Sequence, residues 1–248
     1  MKKILYIIYQ IIIGLPIALV ITILTALITI LGGLLGNSLF WGYYPGMIWG
    51  RVICRIFLLP IKVTGRENID KNQSYIIVSN HQGIFDTFLI YGFIGINFKW
   101  LIKKELERLL FIGPACKMAG HIFIDRRSHK ESQESLKIAS NILKNGTSVT
   151  IFPEGTRSAD GTMGKFKKGA FRLAEELQLP LLPITINGSY FVMSKNDKII
   201  NRHKMSITIH APIPAKGRDY KSEVDVLEHI KASSAEAFRV IFEGLKKS

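Results

Sequence analysis

The sequence predicts an α/β fold: a mixed, largely parallel sheet flanked by helices, with an N-terminal helical membrane anchor. Three observations predict it. Residues 4–50 contain no Asp, Glu, Lys or Arg. From about residue 60, short β-branched and apolar runs alternate with helix-period segments, which is the pattern of βα units. The chain has 248 residues, 48% of them hydrophobic, enough to bury one main core.

The anchor comes first. Residues 4–35 hold one amide, Gln10, and three threonines, the composition of a membrane segment. As one helix, these residues would run to about 48 Å, against a hydrocarbon core of about 30 Å. Gly14 and Pro16 near one end, and Gly32, Gly33 and Gly36 near the other, are expected to divide the run. Phe40, Trp41, Tyr43, Tyr44 and Trp49 follow, and Trp and Tyr favour the headgroup level. Lys2 and Lys3 precede the run; Arg51, Arg55 and Lys62 follow it. Positive charge on both sides predicts a hairpin or re-entrant anchor with both ends cytoplasmic, a single tilted span being the alternative. The apolar core exceeds a signal-peptide h-region, and no A-x-A-like site follows. The expected organisation is an anchor over 1–58 and an α/β domain over 59–248.

Within the domain, residues 61–64 and 75–79 read as short buried strands and 85–94 as an apolar helix. Residues 98–102 are a strand, 103–110 a short helix, and 121–124 a strand. Residues 129–144 make a polar-faced helix that Asn145-Gly146 stops. A strand over 148–152 and a helix over 166–178, stopped by Pro180, come next. Strands at 181–186 and 205–210 and a long amphipathic helix over 221–246 complete the chain.

Charge and cysteine usage exclude several classes. With 33 Lys plus Arg against 19 Asp plus Glu, the formal net charge is +14. Only Lys2 and Lys3 lie in the first 50 residues, so the charge lies almost entirely beyond them. A chain this basic and this apolar points to an anionic membrane rather than nucleic acid, and no RRM, KH or helix-turn-helix signature is present. Two cysteines, Cys54 and Cys116, cannot build a disulfide scaffold or an all-cysteine metal site. No H-x-x-x-H or H-E-x-x-H pattern occurs, so no metal is expected. G-x-S-x-G, Walker and G-x-G-x-x-G motifs are missing.

Three constellations follow strands, where α/β folds place their ligands. Asn80-His81-Gln82-Gly83-Ile84-Phe85-Asp86 opens a helix. A turn there would let Asp86 accept from one imidazole nitrogen and leave the other free to take a proton. The plain alternative is an acid that merely favours a helix N-terminus. Phe152-Pro153-Glu154-Gly155-Thr156-Arg157-Ser158 supplies a glycine for close backbone approach and a guanidinium fork for phosphate. Glu154 would order that arginine or bind a substrate hydroxyl; a surface turn with a salt bridge is the plain alternative. Lys165, Lys167 and Lys168 lie just downstream. Gly120 to Arg127 ends a third strand with two arginines, and Lys103 and Lys104 precede it. Three cationic strand ends suggest one anion-binding cleft, although a solvated basic face is the commoner fate of such charges. A base without a protein nucleophile favours direct attack by a substrate hydroxyl.

Together these motifs resemble the glycerolipid acyltransferase family, specifically the 1-acylglycerol-3-phosphate acyltransferases. The resemblance rests on four blocks in order: Asn80-His81 with Asp86 (H-x-x-x-x-D), Gly120 to Arg126 (G-x-x-F-I-D-R), Phe152 to Ser158 (F-P-E-G-T-R-S), and Leu182-Pro183-Ile184. Lys103 to Leu106 is similar to the family's K-x-E-L segment. The likeness covers roughly residues 60–190. It implies that His81 is the general base on the sn-2 hydroxyl of lysophosphatidate and that Asp86 orients it. The hydroxyl would attack an acyl thioester, acyl-CoA or acyl carrier protein, without an acyl-enzyme and without a cofactor. It further implies an acceptor site of Glu154, Gly155, Thr156 and Arg157, with Arg157 on the phosphate. Lys103 and Arg126 would be further phosphate contacts, and Pro183 would shape the site or acyl channel. The expected partners are membrane lipids, lysophosphatidate and the acyl donor, with no nucleic acid. The expected location is a membrane, with the domain on its cytoplasmic face, the inner membrane in a bacterium. Another acceptor is the first alternative: another lysophospholipid, glycerol 3-phosphate, or an acylated sugar or amino-acid lipid. A membrane-tethered basic binding protein without catalysis is the second.

Overall fold

The computed structural model describes residues 2–124, 137–141, 147–215 and 223–246. Seven strands form one sheet: β1 (Ile61–Thr64), β2 (Ile76–Ser79), β3 (Phe98–Lys103), β4 (Ile122–Ile124), β5 (Ser148–Ile151), β6 (Leu181–Asn187) and β7 (Met205–Ile209). Their order is β1-β7-β6-β2-β5-β3-β4. Every pairing is parallel except β6 with β7. This is the mixed, largely parallel sheet that the pattern predicts. β2 and β5 are buried along their whole length, which is why IIVS and SVTI read as continuous runs rather than alternating ones. β2 lies between β5 and β6, so its carboxyl end opens at the middle of the sheet.

The helices cover both faces. They are α1 (Lys2–Tyr9), α2 (Leu15–Leu34), α3 (Ser38–Trp41), α4 (Tyr44–Ile56), α5 (Phe85–Phe93), α6 (Ile112–Met118), α7 (Gly169–Leu177), α8 (Ser189–Met193) and α9 (Glu223–Lys246). One core holds Ile77, Phe98 and Trp100 of the sheet against Phe85, Leu89 and Ile90 of α5 and Ile53, Cys54 and Phe57 of the α4 region. The opposite core packs Ile76, Val78, Val149 and Ile151 against Phe171 and Leu173 of α7 and Ala237 and Ile241 of α9. Residues 103–110 form a 3₁₀ turn over Lys104–Arg108 in place of a full helix. Of the helix expected over 129–144, only 137–141 falls among the described residues, and those are helical.

The N-terminal region departs from expectation in two ways. Gly14 and Pro16 do not divide the run. A π-helical turn over Gln10–Gly14 joins α1 to α2, and Pro16 sits in the first turn of α2, where a missing N–H costs least. The result is one 32-residue apolar helix, Lys3–Leu34. Residues 43–58, expected within the anchor, also pack into the core against α5. Gly50 meets the α5 backbone so closely that a Cβ there would collide with Phe88 O. Apolar helices of a core and of a membrane look alike in composition, and only the packing separates them.

The long helix lies along the domain rather than projecting from it. Tyr6 and Tyr9 donate to the carbonyls of Phe57 and Ile56, each at 2.7 Å. Gln10 makes a two-way bond with Ile200, donating to its carbonyl at 2.7 Å and accepting its N–H at 3.0 Å. Trp49 Nε1 donates to Thr22 at 2.9 Å. At the far end Gly32 and Gly33 admit Trp41 and Met118. The opposite side, with Ile12, Leu19, Leu31 and Leu34 among others, is exposed.

Candidate active site

β2 delivers the site. Its last residues lead into Asn80, whose buried amide donates to Ile186 O and accepts from Ile186 N, each at 2.8 Å. That pair locks the loop to β6. The next residue, His81, therefore leaves the sheet in a fixed direction. The chain then turns and enters α5, with Asp86 in its first turn.

His81 Nδ1 lies 2.8 Å from Asp86 Oδ2. A carboxylate can only accept, so Nδ1 carries the hydrogen, and in the neutral ring Nε2 presents a lone pair. Asp86 is fully buried and Oδ2 also accepts the N–H groups of Gln82 at 2.7 Å and Gly83 at 2.9 Å. Three donors on one oxygen fix the carboxylate, and the carboxylate fixes the ring. The ring stacks on Phe152, with centroids 3.9 Å apart and planes 7° apart. Phe152 in turn stacks on Trp100 at 5.5 Å. His81 Nε2 has no hydrogen bond among the described residues and the side chain stays partly open to solvent.

The loop after β5 supports this pair from below. Glu154 is only 7% exposed. Its Oε1 accepts the His81 N–H and its Oε2 the Gly164 N–H, both at 2.7 Å. Burial pushes the Glu154 carboxyl up, and the backbone donors of Gly164 and His81 pull it back down. Ser158 N–H donates to His81 O at 2.8 Å, and Gln82 Nε2 to Gly161 O at 2.7 Å. The two motifs are thus one hydrogen-bonded unit. Glu154 is not bonded to Arg157, as the sequence had suggested; both of its oxygens hold backbone.

Gly155 has φ +77°, and a Cβ there would lie 2.9 Å from Lys167 Nζ. The glycine both allows the turn and leaves room for the ammonium. Thr156 is exposed. Arg157 is half-buried, and no hydrogen bond or ion pair engages it among the described residues. Lys103, at the end of β3, is exposed and pairs with Glu105 at 3.3 Å. Arg126 lies outside the described residues. Pro183 is buried in β6 beside Val78 of β2. Phe152, Asn80 and Gly164 carry roles that the sequence did not assign. Phe152 was the most accessible of them, because the residue that leaves a strand beside a candidate base is placed to stack on it.

The site is thus a histidine–carboxylate pair, the acid buried and the ring partly open, at a strand end of a basic α/β domain with a long apolar helix packed along it. Residues 60–187 match the family model described as Acyltransferase, and the chain belongs to that family. It is 35% identical over 169 residues to a chloroplastic 1-acyl-sn-glycerol-3-phosphate acyltransferase of Arabidopsis thaliana, covering 67% of this chain and 46% of the relative. It is 35% identical over 158 residues to the 1-acyl-sn-glycerol-3-phosphate acyltransferase of Saccharomyces cerevisiae, covering 62% and 52%. With the human alpha form it shares 30% over 198 residues, covering 76% and 70%. The chain thus spans about half the length of the plant and yeast relatives. The crystal structure of the 1-acyl-sn-glycerophosphate acyltransferase PlsC from Thermotoga maritima superposes with a TM-score of 0.79 at 25% identity, covering 100% of this chain and 98% of that one.

Proposed function

We propose that the chain transfers a fatty acyl group from a thioester to the sn-2 hydroxyl of lysophosphatidate, giving phosphatidate. The observation that carries this is the His81–Asp86 pair at 2.8 Å with Nε2 unbonded. His81 Nε2 takes the hydroxyl proton as the oxygen attacks the thioester carbonyl. Asp86 stabilises the imidazolium that forms. The tetrahedral intermediate collapses, the C–S bond breaks, and the imidazolium returns its proton to the departing thiolate. No acyl-enzyme is involved. General-base help of this kind contributes about 10²–10⁴-fold in rate.

In this reading Arg157 takes the acceptor phosphate through a charge-assisted fork, with Lys103 and Arg126 as further contacts. Gly155 and Thr156 line the acceptor, and Glu154 sets the position of the loop that carries His81. Acyl-CoA or acyl carrier protein serves as donor; both are acidic and are drawn by the +14 charge. The exposed apolar side of the helix lies in one leaflet of a membrane, with the domain on its cytoplasmic face. The bonds and packing that hold the helix to the domain from Tyr6 to Gly33 support this placement over a span.

The test is thiol release from acyl-CoA and acyl carrier protein against lysophosphatidate, another lysophospholipid and glycerol 3-phosphate. Release that needs lysophosphatidate and yields phosphatidate supports the proposal. Release only with another acceptor moves the reading to that acceptor, and release with none contradicts acyl transfer.

A further inference from the structure

At the Gly33 end of the long helix, the chain between β3 and α6 turns a run of large apolar side chains outward. Leu106, Leu109, Leu110, Phe111 and Ile112 are all exposed, Leu110 to 78%. Soluble surfaces carry such residues singly; five among seven consecutive residues make a patch that needs a partner. Phe111 has φ +63° and ψ −44°, a conformation that bulky residues rarely adopt. The outward turn is therefore held against a backbone preference.

Two features identify the partner. One is continuity. Gly33 of α2 packs on Met118 of α6, and Leu31, Leu34 and Leu35 beside that contact are exposed as well. The other is charge. Residues 109–116 contain no acid, and Arg108 and Lys117 bracket them; on the approach to the patch Lys103, Lys104 and Arg108 stand against Glu105 and Glu107, and Glu105 is paired with Lys103. Apolar side chains rimmed by cations suit an anionic lipid surface.

We propose that residues 106–112 are a second membrane-docking element. It seats Leu109, Leu110, Phe111 and Ile112 in the same leaflet as the long helix, with Arg108 and Lys117 at anionic headgroups. The proposal rests on the membrane association stated above and not on acyl transfer. Its consequence is geometric. One helix lying in a membrane leaves the domain free to roll about the helix axis. A second contact removes that freedom and fixes the height of His81 above the lipid.

The test is a depth measurement on the full chain. Leu110→Cys is labelled with a nitroxide. Cys54 and Cys116 react slowly because burial pushes their thiols up to about 12 and about 11, and the thiolate is the reactive form. Unsubstituted chain treated alike sets the background. Gln73→Cys, in the exposed turn before β2, is the aqueous reference. On vesicles of equal phosphatidylcholine and phosphatidylglycerol, the label at 110 should become several-fold less accessible to a water-soluble relaxation agent, while the label at 73 does not change. Flotation of the chain with a label at 110 as accessible as that at 73 overturns the proposal. A chain that does not float at all overturns the membrane reading and this inference with it. An equal change on phosphatidylcholine alone overturns the role of Arg108 and Lys117. Leu110→Glu should weaken vesicle binding several-fold and leave turnover of micelle-dispersed substrate unchanged; unaltered binding contradicts the proposal.

Discussion

Replacing Glu154 by Gln separates a residue that holds the site together from one that holds substrate. In the native fold both carboxylate oxygens accept backbone N–H groups, those of His81 and Gly164, at 2.7 Å. Hydrogen bonds to a charged group contribute about 1.5–3 kcal/mol each, and neutral ones about 1 kcal/mol. Gln has one carbonyl and one NH₂, so one backbone donor keeps a weaker bond and the other faces a donor. Losing one charge-assisted bond and weakening the second costs about 2–4 kcal/mol. For a chain of this size that lowers the thermal midpoint by about 4–16 °C. Turnover should fall as well, because the His81 N–H is one of the two groups whose bond is weakened or lost. The assay is a melt in detergent, followed by circular dichroism, beside steady-state kinetics with the acceptor varied. A Glu154→Gln chain that melts like the parent and shows only a raised KM for acceptor would refute the clamp and place the carboxylate on substrate.

Other substitutions follow from the same geometry. Asp86→Asn keeps an acceptor for His81 but removes the charge opposite the imidazolium, and its NH₂ enters the position of Oδ1, which has no hydrogen-bond partner among the described residues; kcat should drop about 10³–10⁴-fold, and a loss under tenfold contradicts the pairing role. Arg157→Ala should raise the acceptor KM about 10–100-fold if a charge-assisted bond to phosphate is lost, with little effect on a phosphate-free acceptor; equal losses on both contradict phosphate binding. Lys99 is 5% exposed, its Nζ has no hydrogen-bond partner among the described residues, and burial lowers its pKa from 10.5 to about 8. A folded value below the unfolded one penalises the fold fully below about pH 8, and the penalty fades as pH rises toward 10.5. Lys99→Met should therefore melt higher at pH 7, with the gain shrinking above pH 8; a lower midpoint, or a gain that ignores pH, contradicts the burial argument.

The sheet was legible because parallel strands buried on both faces leave continuous apolar runs, and IKVT at 61–64 falls where it was expected. His81 and Asp86 were legible because their spacing fits a turn into a helix after a strand, and the two meet at 2.8 Å. What escaped was long-range. The lone amide of residues 4–35, Gln10, finds its partner 190 residues away at Ile200, and nothing local announces that. Glu154 looked like a partner for the arginine three residues on, whereas its donors lie 73 residues back and 10 residues ahead. The short helices at 112–118 and 189–193 are too brief to show a period. Residues 43–58 were placed with the anchor because burial in a core and burial in lipid select the same side chains.

The central claim is that His81 Nε2 draws the proton from an acceptor hydroxyl. It is tested most directly by single-turnover acyl transfer from labelled acyl-CoA or acyl carrier protein to lysophosphatidate, comparing the native chain with His81→Ala at matched folding. The account predicts that phosphatidate forms with the native chain only when the acceptor is present. With His81→Ala, phosphatidate formation should fall by about 10²–10⁴-fold while the melting midpoint and vesicle binding stay put. Phosphatidate formed by His81→Ala at the native rate would contradict it.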